Sequence, residues 1–184
     1  MKKPLLIILL ICIVSVLTVS VNVFAQGNSN KVEVSFAYTS QKGFSSNQFA
    51  VWIEDAMGRY VKTLYATRFT ASGGWQKRDQ SIPLWVKQSN LAGMNKTQID
   101  ALTGPTPKSG SLRYIWDGTD NTGRAVSAGE YRVLVEATLR GENRVLYTAV
   151  INLGEKGRTV TAQAQYYGSS TAERTMIGPV TVTY

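Results

Sequence analysis

Apolar side chains recur at every second position along several separate stretches of this chain. Val32, Val34 and Phe36 alternate with Glu33 and Ser35. Phe49, Val51 and Ile53 share one face, with Trp52 on the other, and Tyr131, Val133, Val135 and Ala137 alternate strictly. A period of two places successive side chains on opposite faces of an extended backbone, so these stretches are half-buried strands rather than helices. Turn-forming residues separate them. Asp55 to Gly58 divides the Phe49–Ile53 strand from a return strand over Tyr60 to Phe69, which predicts a hairpin. Leu112 to Trp116 is a short strand followed by the turn-rich run DGTDNTGRAVSAG. Gly141 to Asn143 turns the chain into Val145 to Leu153, and Thr159 to Tyr167 and Thr175 to Tyr184 are two further β-rich segments. Seven to nine strands at this spacing predict an all-β sandwich or barrel. The pattern D-x-x-G-R-x-V occurs at Asp55–Val61 and again at Asp120–Val126. The flanks do not match, so it reads as shared turn chemistry and not as an internal repeat.

The 184 residues include no histidine and a single cysteine. Without imidazole there is no His-dependent triad, and the commonest metal ligand and general base are missing. One thiol builds neither a disulfide framework nor a thiolate zinc site. The excess of 20 Lys+Arg over 12 Asp+Glu is scattered, with no nucleic-acid motif, and points to anionic envelope surfaces or an acidic partner instead. Asp117, Asp120 and Asn121 lack EF-hand spacing and a closing Glu, so they read as turn caps rather than calcium ligands. The expectation is a protein that is not an enzyme.

Lys2 and Lys3 precede an apolar run from Leu5 to Val21, and Val23-Phe24-Ala25 presents small or compact residues where a signal peptidase reads. Residues 1–25 are predicted to be a cleaved signal peptide, Gln26 to Asn30 a flexible leader, and 31–184 one domain in the periplasm or outside the cell. No membrane span is expected after cleavage, because the apolar run is short of a full span and leaves with the signal. Cys12 leaves with it, so the remaining chain has no thiol.

One stretch interrupts the β pattern. Residues 82–111 carry Pro83, Pro105, Pro107 and several Gly, and read as an insertion of a kind that is either functional or disordered. Within it, Asn95 is placed to cap a short helix from Lys96 to Leu102. Ahead of the Thr103–Ser109 loop, Trp75, Lys77, Arg78, Trp85 and Lys87 cluster. Trp75, between Gly73-Gly74 and Gln76, is the best candidate for a partly exposed aromatic that stacks a flat ring. Trp52 and Trp116 sit in strand patterns and read as core, whereas Trp85 is open to either reading, a core side chain or an indole face that stacks a flat ring.

The block Trp116-Asp117-Gly118, Asp120, Gly123-Arg124, Val126, Gly129 and Tyr131 resembles the immunoglobulin-like domain of the flagellar hook-capping protein. Gly129-x-Tyr131-x-Val133 looks like a tyrosine corner, in which the phenol ties a loop to the next strand. The resemblance implies an immunoglobulin-like β-sandwich, here with a Pro/Gly-rich insertion containing a short helix. Further elements are Trp52-x-Glu54-Asp55-x-x-Gly58, Gly74-Trp75, Pro83-x-Trp85 and Asp100-Ala-Leu-Thr103-Gly104. Together with the Trp116–Tyr131 block they are similar to a family of predicted periplasmic proteins of unknown function. Its members are often encoded beside flavin transferases and membrane redox proteins, which implies a membrane redox protein or a flavin transferase as partner.

Asp100-Ala-Leu-Thr103-Gly104-Pro105-Thr106-Pro107-Lys108-Ser109 resembles the flavinylation motif D-x-x-[ST]-G-A-T-x-T, whose last Thr carries FMN through a phosphoester. Asp100, Thr103, Gly104 and Thr106 match. Pro105 replaces the Ala, and Lys108 stands at the acceptor position, where a phosphoester needs a hydroxyl that lysine lacks. Thr106 and Ser109 have hydroxyls but are displaced from that position. Three readings stay open: covalent FMN, FMN held non-covalently with Lys108 near its phosphate, and a rigid proline-braced turn with no ligand. The predicted site is therefore Trp75, Asp100, Thr103, Gly104, Thr106, Lys108 and Ser109. The expected role is that of an exported, non-catalytic accessory or binding module in a flavin-linked redox system. The alternative is a structural or adhesive, carbohydrate-binding envelope module with no redox role.

Overall fold

The computed structural model describes residues 31–42, 47–139, 142–169 and 174–184. The predicted signal peptide and leader lie outside the described residues. The alternating stretches form two sheets packed face to face. Strands β1 (Val32–Tyr38), β5 (Gly110–Trp116), β8 (Thr159–Thr161) and β10 (Thr181–Thr183) make a four-stranded sheet in the order β5-β1-β10-β8. The other sheet is six-stranded, in the order β4-β3-β2-β6-β7-β9. It contains β2 (Gln48–Asp55), β3 (Tyr60–Thr67), β4 (Thr103–Gly104), β6 (Gly129–Thr138), β7 (Arg144–Leu153) and β9 (Gln163–Tyr167). All pairings are antiparallel except β3 with β4. This is the all-β sandwich that the alternation predicts, with ten strands among the described residues rather than seven to nine. The extra strands come from short pieces. The β-rich segment Thr159–Tyr167 is two strands, because the chain changes sheet at Ala162, whose N–H donates to Val180 O at 2.8 Å.

The inner faces carry the predicted alternating residues. Val32, Val34 and Phe36 meet Phe49, Val51, Ile53, Tyr131, Val133 and Val135 in one buried cluster. Trp116 is fully buried and stands edge-on to Tyr131, with ring centroids 5.0 Å apart. The Tyr131 hydroxyl donates to Ser127 O at 2.8 Å, the tyrosine corner that the Gly129-x-Tyr131 spacing indicates. Both D-x-x-G-R-x-V segments fold alike. Asp55 Oδ1 accepts from the N–H groups of Met57 and Arg59, and Asp120 Oδ1 accepts from those of Thr122 and Arg124. Gly58 and Gly123 take φ of +78° and +80° at matching positions, which a side chain would resist.

A third layer lies outside the sandwich. Between β3 and β5, residues 68–109 form a π-helical turn (Thr70–Gly74), helices α1 (Trp75–Lys77), α2 (Pro83–Gln88) and α3 (Lys96–Leu102), and the edge strand β4. The layer begins well before the first proline of the stretch, and a set of its apolar side chains packs on the sheet. Ala71, Ile82, Trp85 and Leu91 bury against Ala50, Trp52, Ala66, Leu134 and Leu146 on the outer face of the six-stranded sheet. Strand β2 is consequently buried on both faces. Asn95 caps α3 as predicted. Its side chain accepts from Gln98 N–H, and Gln98 returns a bond to Asn95 N–H.

Candidate functional site

The added layer is fastened to the sheet by buried polar groups. Glu136, on the outer face of β6, is fully buried. Its carboxylate accepts from the N–H groups of Trp85 at 2.9 Å and Leu84 at 3.3 Å, in the first turn of α2, and pairs with Arg144 Nη1 at 2.8 Å. Burial pushes the Glu136 carboxyl up from its ordinary value, while these three partners pull it back. Thr138 Oγ1 accepts from Ile82 N–H and donates to Gln80 O. The Trp85 indole N–H donates to Thr63 Oγ1 at 2.9 Å, and Gln48 Oε1 accepts from the hydroxyls of Thr67 and Thr70. Ile82 is held at φ +43°, a left-handed conformation that is costly for a β-branched residue, where the chain enters α2. Sequence reasoning missed Glu136, Arg144 and Gln48 as anchors. The available signal was Trp52 and Leu134, apolar side chains on the face that strict alternation assigns to water.

The layer bears a cleft of about 430 Å³. Gly73, Trp75 and Gln76, then Leu91 and Met94, and then Lys96, Ile99 and Asp100 line it. Trp75 is half-buried, and Trp52 and Trp116 are fully buried, as their settings in the sequence indicate; Trp85, which the sequence leaves open, is fully buried as well. Gly74 is required beside Trp75, because a Cβ there would stand 2.3 Å from Phe69 O. Asp100 is exposed and pairs with Arg68 Nη2 at 3.0 Å and with Lys96 Nζ. The Lys96 hydrogen bond, assisted by the charges of Lys96 and Arg68, holds its carboxyl below the usual range. The lining of the cleft thus includes a carboxylate clamped between two cations.

The structure divides the predicted site. Trp75 and Asp100 come together in the cleft. Thr103 and Gly104 lie beyond it, in β4, paired with Ala66 and Thr67 of β3. The Thr103 hydroxyl donates to Ile99 O at 2.9 Å, closing the end of α3. Gly104 lies under the Tyr65 ring, where a Cβ would come within 2.8 Å of Cε2, and the Tyr65 hydroxyl donates to Pro105 O at 2.7 Å. Thr106, Lys108 and Ser109 follow on an extended, exposed crossing from the edge of one sheet to the edge of the other. Ser109 Oγ accepts from Ser40 N–H at 2.8 Å. None of the three lines the Trp75 cleft, so the cations beside it are Lys96 and Arg68 and not Lys108.

Asp117 and Asp120 serve turns. Burial works against ionisation of Asp117, but hydrogen bonds from Thr119 and Lys62 outweigh it and hold the carboxyl at about 2. Among the described residues no three potential ligands gather as a metal site, and no helix is long and apolar enough to cross a membrane.

Fold and cleft together define a class, an all-β sandwich domain with a helical layer that bears a cleft. Residues 29–170 match the model of the family described as predicted periplasmic protein (DUF2271), and the chain belongs to that family. The protein is thus an exported, periplasmic one, in a family whose function is unknown. No curated protein and no solved structure matches the chain.

Proposed function

We propose that this protein is a non-catalytic binding module of the cell envelope whose Trp75 cleft takes a flat, partly apolar ring. FMN is held there non-covalently, for exchange with a membrane redox protein or a flavin transferase. The observation that carries this reading is the convergence of Trp75 and Asp100, 25 positions apart in sequence, on one cleft of about 430 Å³. That volume lies within the range of small-molecule sites, and the mixture of apolar lining with a few polar groups is theirs as well. The indole offers a stacking face. Lys96 in the lining, and Arg68 through its pairing with Asp100, supply positive charge beside the cleft, where a phosphate would compete with Asp100 for them.

The test is a titration of the mature protein with FMN, read by flavin fluorescence quenching. Saturable quenching weakened at least tenfold by Trp75→Ala is expected, and absence of saturation would overturn the reading. Co-expression with a flavin transferase followed by intact mass measures the covalent form separately. An unmodified mass is expected, because Lys108 occupies the acceptor position.

A second reading, a structural or adhesive envelope module with no redox role, draws on the matched motif residues themselves. Thr103, Gly104 and Ser109 are all occupied in holding the chain crossing together. Retention on peptidoglycan that Trp75→Ala abolishes, with no FMN quenching, would favour it.

A further inference from the structure

The two sides of the sandwich treat their edges differently. On one side, β4 is only two residues long and runs into Pro105 and Pro107, and β5 carries Arg113 paired with Glu33 at 3.1 Å. Short strands, prolines and charges are the usual means of keeping an edge from pairing with another chain. On the other side one continuous segment, Thr159–Tyr167 (TVTAQAQYY), supplies the edge of both sheets, as β8 and then β9. It contains no charge, no proline and no glycine. All five residues of β9 pair with β7 on the inner side, and no strand among the described residues pairs with the outer side. Gln163, Ala164 and Gln165 are exposed.

We infer that β9 is a docking edge that takes up an extended segment of a partner protein by β-strand addition. Main-chain hydrogen bonds would supply the affinity, and the residues flanking the strand the selectivity. A second copy of this chain is the less suitable occupant, since without Lys2 and Lys3 the exported chain still carries a net charge of +6 and two copies repel. A positive group also stands at the Tyr end of the strand. The Arg174 guanidinium lies 4.5 Å from the ring centre of Tyr166. Arg144, over Tyr167, is already paired with Glu136 and adds no charge for a partner. The matching segment has an uncharged alternating stretch of about five residues, set by the length of β9, and acidic residues at the end that meets Arg174.

The probe is a synthetic peptide with an alternating Thr-Val stretch flanked by two Glu on its N-terminal side. It is titrated against the 15N-labelled mature protein. Saturable amide shifts centred on residues 163–167 are expected, and a version with Lys in place of Glu should bind about tenfold more weakly, or about 1.4 kcal/mol. The double substitution Gln163→Glu with Gln165→Glu keeps the backbone intact and should weaken binding by a similar factor. Proline at Ala164 or at Gln165 separates hydrogen bonding from charge. Only one of the two N–H groups points outward, so one variant should lose the peptide while keeping its melting temperature. No shift in β9 up to about 1 mM peptide, equal binding of the Glu and Lys peptides, or shifts centred elsewhere would overturn the proposal. A concentration-dependent dimer by light scattering, lost in the Gln→Glu variant, would replace the partner with a second copy and overturn it in this form.

Discussion

Glu136 is the residue on which the outer layer depends most directly, because it is a fully buried carboxylate serving α2, β6 and β7 at once. Its position in β6 looks from sequence like an ordinary solvent-facing site in an alternating strand. Only the layer's arrival makes it interior. Removing its counter-ion should therefore be costly. Arg144→Met leaves the carboxylate buried and unpaired and is expected to destabilise the protein by about 3 kcal/mol at pH 7.5. Burial already raises the Glu136 carboxyl, and loss of Arg144 raises it further. A raised folded-state value weakens the fold as pH climbs through it and has no effect below the unfolded value. The defect should accordingly shrink at pH 5, as urea unfolding at the two pH values would show. An equal loss at both would mean that the lost packing on Tyr167, not the charge, dominates. The tryptophans show how far one residue's setting is readable. Trp52 and Trp116, in alternating runs, are buried, and Trp75, among glycines, is half-buried.

Local chemistry and tertiary packing part company among the elements of the layer. Helix α3 is legible in sequence because the capping box at Asn95 and Gln98 is a local device. Helix α2 lacks a side-chain cap of its own and takes one from Glu136, 51 positions away. The two should differ in stability in the opposite sense to their legibility. Helix α3 buries none of its side chains, whereas α2 buries Trp85 completely. Amides of α3 are expected to exchange with deuterium at least tenfold faster than those of α2, since opening α3 exposes little apolar surface. Matched protection would show that the two helices open only with the whole domain. The paired D-x-x-G-R-x-V turns are the other element that sequence describes well, since an Asp, a positive-φ Gly and their own backbone complete each one.

Across the whole molecule the acidic side chains bear on acid stability. Asp55, Asp100, Asp117 and Asp120 all have carboxyls held below their usual range, Asp117 at about 2. A depressed folded-state value contributes stability above the unfolded value of about 3.9 and loses it as pH falls through the folded one. Stability should fall between about pH 4 and pH 2. Asp117→Asn should be less stable than the parent at pH 7 yet nearly equal to it at pH 2, as near-ultraviolet circular dichroism during thermal unfolding would report. Alternation, turn residues and the Trp116–Tyr131 block together determined the sandwich, its hairpins and its tyrosine corner. Each of these rests on neighbours a few positions apart, or on a face that one strand declares by itself. The motif Asp100–Ser109 was visible in the same way, but its division was not. Whether Trp75 meets Asp100, and whether Lys108 meets either, depends on how a packed layer lies across a sheet. That placement was decided by buried contacts such as Trp85 with Thr63 and α2 with Glu136, between residues 22 and 51 or more positions apart, whose energy exists only once water has been excluded from between them.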